Sequence, residues 1–278
     1  MKIVIAIDSL KNSLTSVEAG RAVEAGVRKA YGSQPVQIVV KPLADGGEGT
    51  VEALVEGMNG KLCHAVVKGP LGEPVSCSYG YLPDTATAVI EMAGAAGLGL
   101  VPEDRRNPLY TTTYGVGQVM AKAIEGGIRH FIIGLGGSAT SDCGVGMLQA
   151  LGYVFRDAEG HVVGTGGLAV GDIASVDDSQ VLPALKECTF DVACDVTNPL
   201  YGTLGAAAVF GPQKGASPAD VKRLDDASRS FAAVTKAYKG QDYSQASGAG
   251  AAGGLGFAFL AYLQGRLRSG IRNRSRFH

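Results

Sequence analysis

His130-Phe131-Ile132-Ile133-Gly134-Leu135-Gly136-Gly137-Ser138-Ala139-Thr140-Ser141-Asp142-Cys143-Gly144 is the stretch on which the fold turns. The run His130 to Leu135 is short and apolar, as a buried strand requires. Val145-Gly146-Met147-Leu148-Gln149-Ala150-Leu151 has the composition of a helix body. Between them lie only glycine and small polar residues, so the order is strand, tight turn, helix. Glycines admit positive φ and a close ligand, and free amides at a helix start favour an anion. The stretch therefore has the make-up of a phosphate cradle. The plainer reading, a turn with Ser141 or Asp142 as an ordinary N-cap, stays open at this point.

Outward from that stretch the same grammar recurs. Ile3-Val4-Ile5-Ala6-Ile7 is a β-branched run ending at Asp8-Ser9, as expected of a parallel strand. Thr15 and Glu18 have capping-box spacing ahead of a helix to about Tyr31. A second strand over Val36–Leu43 runs into Ala44-Asp45-Gly46-Gly47-Glu48-Gly49-Thr50, and Val51 to Glu56 opens a second helix. The first part is thus βαβα and the fold class α/β. From Lys61 to Ala88, alternation and Gly-Pro turns predict antiparallel strands. Thr111 to Gly115 precedes a helix through Ile124, Phe190 to Val196 is a strand ending in Cys194-Asp195-Val196-Thr197-Asn198, and Pro218 sits in the first turn of a further helix. Ala246 to Leu263 is weakly hydrophobic and half glycine and alanine, which predicts a buried helix rather than a membrane span.

Composition narrows the function. The chain has 278 residues, a net charge of −1 and 41 glycines, about twice a usual share of ~7%. The glycines cluster beside apolar runs, so they mark close backbone approaches rather than linkers. Spread charges point away from nucleic acid as a partner. Five cysteines, an odd number without a CxxC, argue against a disulfide framework or zinc site and for a reducing cytoplasm. No secretory signal is expected, because the apolar run after Lys2 stops at Asp8. Cys143 reads as a small packing residue rather than a nucleophile.

Asp8, Asp45, Asp142 and Asp195 each follow or border an apolar strand, beside glycine, serine or threonine. In open α/β sheets ligands gather at the carboxyl ends of strands. Acids there can hold Mg²⁺ or act as a base toward a hydroxyl, and Lys11 and Lys214 can offset phosphate charge. Phosphoryl transfer needs this set of cradle, metal, cation and base. Each Asp alone reads more readily as a cap or turn residue. No GxxxxGK[ST] occurs, which excludes a Walker-type nucleotide binder.

Gly134 to Ala139 resembles the glycine-serine loop of the galactokinase/homoserine-kinase superfamily, a short analogy. A wider resemblance is to the bacterial type-1 glycerate kinases. It is carried by Ile7 to Leu14, Ala44 to Thr50, Arg106-Asn107-Pro108 with Thr111 to Gly115, Gly134 to Asp142, Cys194 to Gly202, Phe210 to Gly215 and Gly248 to Gly256, in the same order. The resemblance implies phosphorylation of D-glycerate by ATP with Mg²⁺ at the 2-hydroxyl, with 3-phosphoglycerate as the other regiochemical outcome. It implies two α/β domains, one flavodoxin-like, with the site between them. On that basis residues 1–62 form the first part of the flavodoxin-like domain and 63–263 a second mixed α/β domain. Family members continue further, so the resemblance also implies a C-terminal truncation, with 264–278 an arginine-rich tail of no helical or strand period in place of the rest of the first domain.

The roles expected are Asp8, Lys11 and Asp195 in catalysis. Gly136, Gly137, Ser138, Thr140, Ser141 and Lys214 are expected to hold the ATP phosphates, and Asp142 the metal. Asp45, Gly46, Gly47 and Arg106 are expected to hold the substrate, Arg106 as a fork on its carboxylate. The family usually has Phe and Gly where Leu10 and Asn12 stand, and Asn and Gly where Ser141 and Cys143 stand. The alternatives are an inactive fragment, a nucleotide or small-molecule binder, or a kinase of another small sugar acid.

Overall fold

The computed structural model describes residues 1–7, 10, 13–42 and 49–268. Asp8, Lys11, Asp45, Gly46 and Gly47 lie outside them. The elements run β1 (Lys2–Ile7), α1 (Ser16–Tyr31), β2 (Gln37–Pro42), α2 (Thr50–Gly57), β3 (Lys61–Lys68), β4 (Pro74–Leu82), β5 (Thr87–Glu91), α3 (Ala93–Ala96), α4 (Tyr114–Glu125) and β6 (His130–Gly134). They continue with α5 (Val145–Ala150), β7 (Val154–Arg156), β8 (Ser175–Asp177), β9 (Thr189–Ala193), α6 (Ala206–Phe210), α7 (Pro218–Lys239), α8 (Ala251–Tyr262) and β10 (Arg266–Arg268).

The centre is a six-stranded sheet in the order β10-β9-β6-β5-β4-β3. β5, β6, β9 and β10 are parallel, while β3 and β4 form the antiparallel arm expected from the Gly-Pro turns. The parallel strands are apolar on both faces, as burial beneath helices demands: Val89, Ile90, Ile133 and Val192 are fully buried. Phe131 stacks on Phe190 at 5.1 Å, and Phe155 packs edge-to-face on both Phe231 and Tyr262. Because these strands run the same way, Glu91, Gly134 and Ala193 all end at one edge of the sheet.

β1 and β2 pair in parallel as a separate two-stranded sheet flanked by α1. The expected Thr15–Glu18 capping box starts α1, and a second box of Ser217 and Asp220 starts α7. α2 follows the first unit in sequence but buries Val51 and Leu54 against Leu82 and Val89 of the large sheet. α8 is buried on nearly all sides, as read from its composition. Among the described residues no helix is long and apolar enough to cross a membrane.

One expectation fails locally. Arg266–Arg268 is a strand, with Leu267 opposite Val192 and Arg268 ion-paired to Asp191 at 3.0 Å. Three residues are too few to show a period, and the element exists because β9 offers it an edge to pair with. Residues 269–278 lie outside the described set.

Candidate active site

The turn after β6 is braced from three directions. From α3 and the segment after it, Leu98 donates its N–H to Gly137 O, and the Ala139 N–H donates to Ala96 O. From the loop before α4, the Thr111 hydroxyl donates to Ala139 O at 2.9 Å. From the start of α8, Gly253 O accepts the Cys143 N–H at 3.0 Å. Gly253 has a φ of +68°, and a Cβ there would strike the Thr140 carbonyl oxygen. That contact explains why two glycine clusters far apart in sequence are needed at one place.

Asp142 holds the turn from inside. It is 0% exposed. Its carboxylate accepts the Thr113 N–H at 2.8 Å, the Thr113 hydroxyl at 2.9 Å, and the N–H groups of Gly144 and Gly146 at 3.1 and 3.3 Å. Burial drives its pKa upward, and the Thr113 and glycine donors oppose that. Both oxygens are thus occupied by the protein. The expectation of Asp142 as a metal ligand does not fit this geometry: Gly144 is the N-cap of α5, and the Asp142 carboxyl bonds the Gly144 and Gly146 amides from two residues before it. It also means that the amides at the start of α5 already bond this carboxyl group, so the place for a phosphate is earlier in the turn.

That earlier part is free. Gly136 is half-buried and Gly137 exposed, with φ +72° at Gly137. Among the described residues the amides of Gly136 and Gly137 have no backbone acceptor. Among the described residues the hydroxyls of Thr140 and Ser141 are buried without a partner, an unusual cost for two adjacent polar groups. Lys214 lies under the turn, 1% exposed, with Nζ donating to Ser138 Oγ at 2.8 Å and to the Thr140 carbonyl. Burial pulls its pKa down to about 7, opposed by the nearby Asp142 carboxylate. Arg106 reaches the same place: its backbone packs on Gly215, next to Lys214, and its Nε is buried without a partner. Asp195 stands exposed just past the end of β9, on the same sheet edge.

The structure thus brings Ser138, Thr140, Ser141, Asp142 and Lys214 into one network, with Arg106 beside it and Asp195 on its edge. Cys143 packs against Ser228, Sγ to Oγ 3.3 Å, and burial pushes its thiol up to about 12, so it is no nucleophile. All five cysteines are free thiols. Among the described residues no three His, Cys, Asp or Glu side chains converge as a metal site. Two contributors escaped the sequence reading. Thr113 was part of a recognised segment without a role, and Glu91 was not singled out at all.

Residues 3–273 match the model of the glycerate kinase family. The chain belongs to the glycerate kinase family. It is 49% identical over 271 residues to the glycerate 2-kinase of Escherichia coli K12, covering 98% of this chain and 71% of that protein. The glycerate kinase of Bacillus subtilis 168 is likewise 49% identical, with 98% and 70% covered. A solved structure from Salmonella typhimurium LT2, described as a candidate glycerate kinase 2, superposes with a TM-score of 0.92 at 48% identity, over 97% of this chain and 72% of the other. That solved relative therefore shares the α/β architecture of this chain.

Proposed function

We propose that this chain transfers the γ-phosphoryl group of ATP to D-glycerate and forms 2-phosphoglycerate. The observation that carries the reading is the turn after β6: free glycine amides and unpartnered hydroxyls over a buried lysine, at the carboxyl edge of a parallel sheet, in a chain of the glycerate kinase family. Gly136 and Gly137 bind phosphate oxygens through their amides, and Ser138, Thr140 and Ser141 supply hydroxyl donors. Lys214 offsets the phosphate charge from below the turn. Arg106 takes the glycerate carboxylate, and Asp45, Gly46 and Gly47 bind the rest of the substrate.

Asp8 or Asp195 accepts the proton of the attacking hydroxyl as the new O–P bond forms and the bond to ADP breaks, and Lys11 supplies a further cation for the phosphate charge. Mg²⁺ fits this donor set only as an ion held mainly by phosphate oxygens, with Asp195 or Asp8 as its protein contact. Bound there, it would neutralise charge on the transferred group.

The test is an ADP-coupled assay with D-glycerate and Mg²⁺-ATP, with the product identified by phosphorus NMR. Folded protein that turns over no glycerate ends the reading, and a 3-phosphoglycerate product corrects its regiochemistry.

A further inference from the structure

Besides Asp195, the carboxyl edge of the large sheet carries another acid that neither glycine turn supplies. Glu91 ends β5, opposite Gly134 of β6. Its Oε1 accepts the Val51 N–H at 2.8 Å, and the amides of Gly49 and Thr50 also bond to this carboxylate. These amides are orphan donors at the start of α2. The α2 N-cap, Gly49, has a φ of +89° and offers no side chain to satisfy them. The cap therefore arrives from another element, 40 residues further along the chain. The apolar face of the same helix is seated beside it, with Val51 and Leu54 on Leu82 and Val89.

We infer that Glu91 is a positioning residue: it fixes the first turn of α2, the turn that follows Asp45-Gly46-Gly47 in the sequence, at the sheet edge where the turn after β6 begins. The consequence for substrate rests on the reading of that segment as glycerate-binding. The seating of α2 does not.

The groups around Glu91 make the contact sensitive to pH. Burial pushes its carboxyl up to about 7, Glu52 of α2 adds like charge, and the three amides pull the other way. Cys77 of β4, a further titratable neighbour among the described residues, is held neutral with its thiol near 11. The ionised carboxylate accepts all three amides well, whereas the protonated acid is the poorer acceptor. Ionisation has an opposite effect on the whole fold. The folded pKa lies above the ordinary carboxylate value, so the contribution of Glu91 to stability is full below about 4.5 and lost as pH rises through about 7.

The experiment is amide hydrogen exchange on the full chain at about pH 6 and pH 8, corrected for intrinsic rates, with steady-state kinetics in parallel. The amides of residues 49–51 should gain protection on the order of tenfold at the higher pH. Glu91→Gln should abolish that gain and raise KM for glycerate several-fold with a smaller change in kcat. Glu91→Asp, which keeps the charge, should restore part of both.

Equal protection in Glu91→Gln and the wild type at both pH values overturns the inference. So does an unchanged KM in a Gln variant that has lost the protection. If Glu91→Gln does not fold, the pH dependence of the wild type and the Asp variant decide. Absence of glycerate turnover in the wild type would end the functional reading alone, and the exchange data would still decide the seating of α2.

Discussion

At the start of α1 the Thr15 hydroxyl accepts the Glu18 N–H at 3.2 Å, and the Glu18 carboxylate takes the Thr15 N–H at 2.9 Å, all in open solvent. At the start of α5 Asp142 performs the same kind of service for Gly144 and Gly146 with no solvent at all. The surroundings differ in the same sense. α1 buries only Ser16, Ala19 and Gly20, and Val4 of the neighbouring β1 is 57% exposed. Every residue from Val145 to Leu148 is buried. Water can replace a lost partner at the first cap but not at the second. Equal local geometry therefore carries unequal energy, and the sealed cap is the one that shapes the candidate site.

The sharpest test of that contrast is Asp142→Ala. It strands the Thr113, Gly144 and Gly146 amides in a dry interior, and should cost about 3–5 kcal/mol in denaturant unfolding. Nucleotide affinity should fall with it, because the turn loses its brace to α4. A loss under about 1 kcal/mol would mean that water reaches this site and would break the comparison.

Lys214 comes next, since it is the buried cation of the same region. Its pKa near 7 lies below the ordinary lysine value of 10.5. Between those values the unfolded chain holds the extra proton, so stability must rise with pH across that window. From about pH 7.5 to pH 9 the rise attributable to this group is at most about 2 kcal/mol. Lys214→Met, followed by unfolding at several pH values, should remove that slope. It should also weaken ATP binding through the loss of the Ser138 and Thr140 contacts. A slope identical in both proteins would show the amine to be hydrated.

At the exposed cap the effect shrinks. Thr15→Ala should cost about 1 kcal/mol and leave glycerate turnover unchanged. Hydrogen exchange should place its effect within α1 alone.

The same contrast explains what could be read from the sequence. The strand, turn and helix around Gly136, the capping box at Thr15 and the buried helix before Leu263 all rest on neighbours within a few residues, so their periodicity and spacing reveal them. The role of Asp142 depends on Thr113, 29 residues away, and that of Glu91 on Val51, 40 away. No local pattern distinguishes an acid that caps a distant element from one that meets a ligand, which is why Asp142 read as a metal ligand and Glu91 did not stand out. β10 is legible only through its partner strand. The resemblance to glycerate kinases gave the family, which the match over residues 3–273 bears out, but could not say which side chains face inward.

The smallest effect tests the turn itself. Cys143 has a φ of +51°, a left-handed conformation that a side chain adopts at a cost, and the family usually places glycine there. Cys143→Gly relieves that strain, contributing about 1 kcal/mol in its favour. It also empties a site that is 1% exposed and removes the contact with Ser228, a loss of similar size. It adds chain entropy to the unfolded state as well. These effects nearly cancel, so calorimetry should find a shift within about 1 kcal/mol of zero, with kcat and KM unchanged. A larger loss would show that the Sγ–Ser228 contact, rather than Asp142 alone, keeps the turn closed against α7. A clear gain would show that backbone strain at residue 143 outweighs the packing of its side chain, and that the sealed cap is stable in spite of its cysteine.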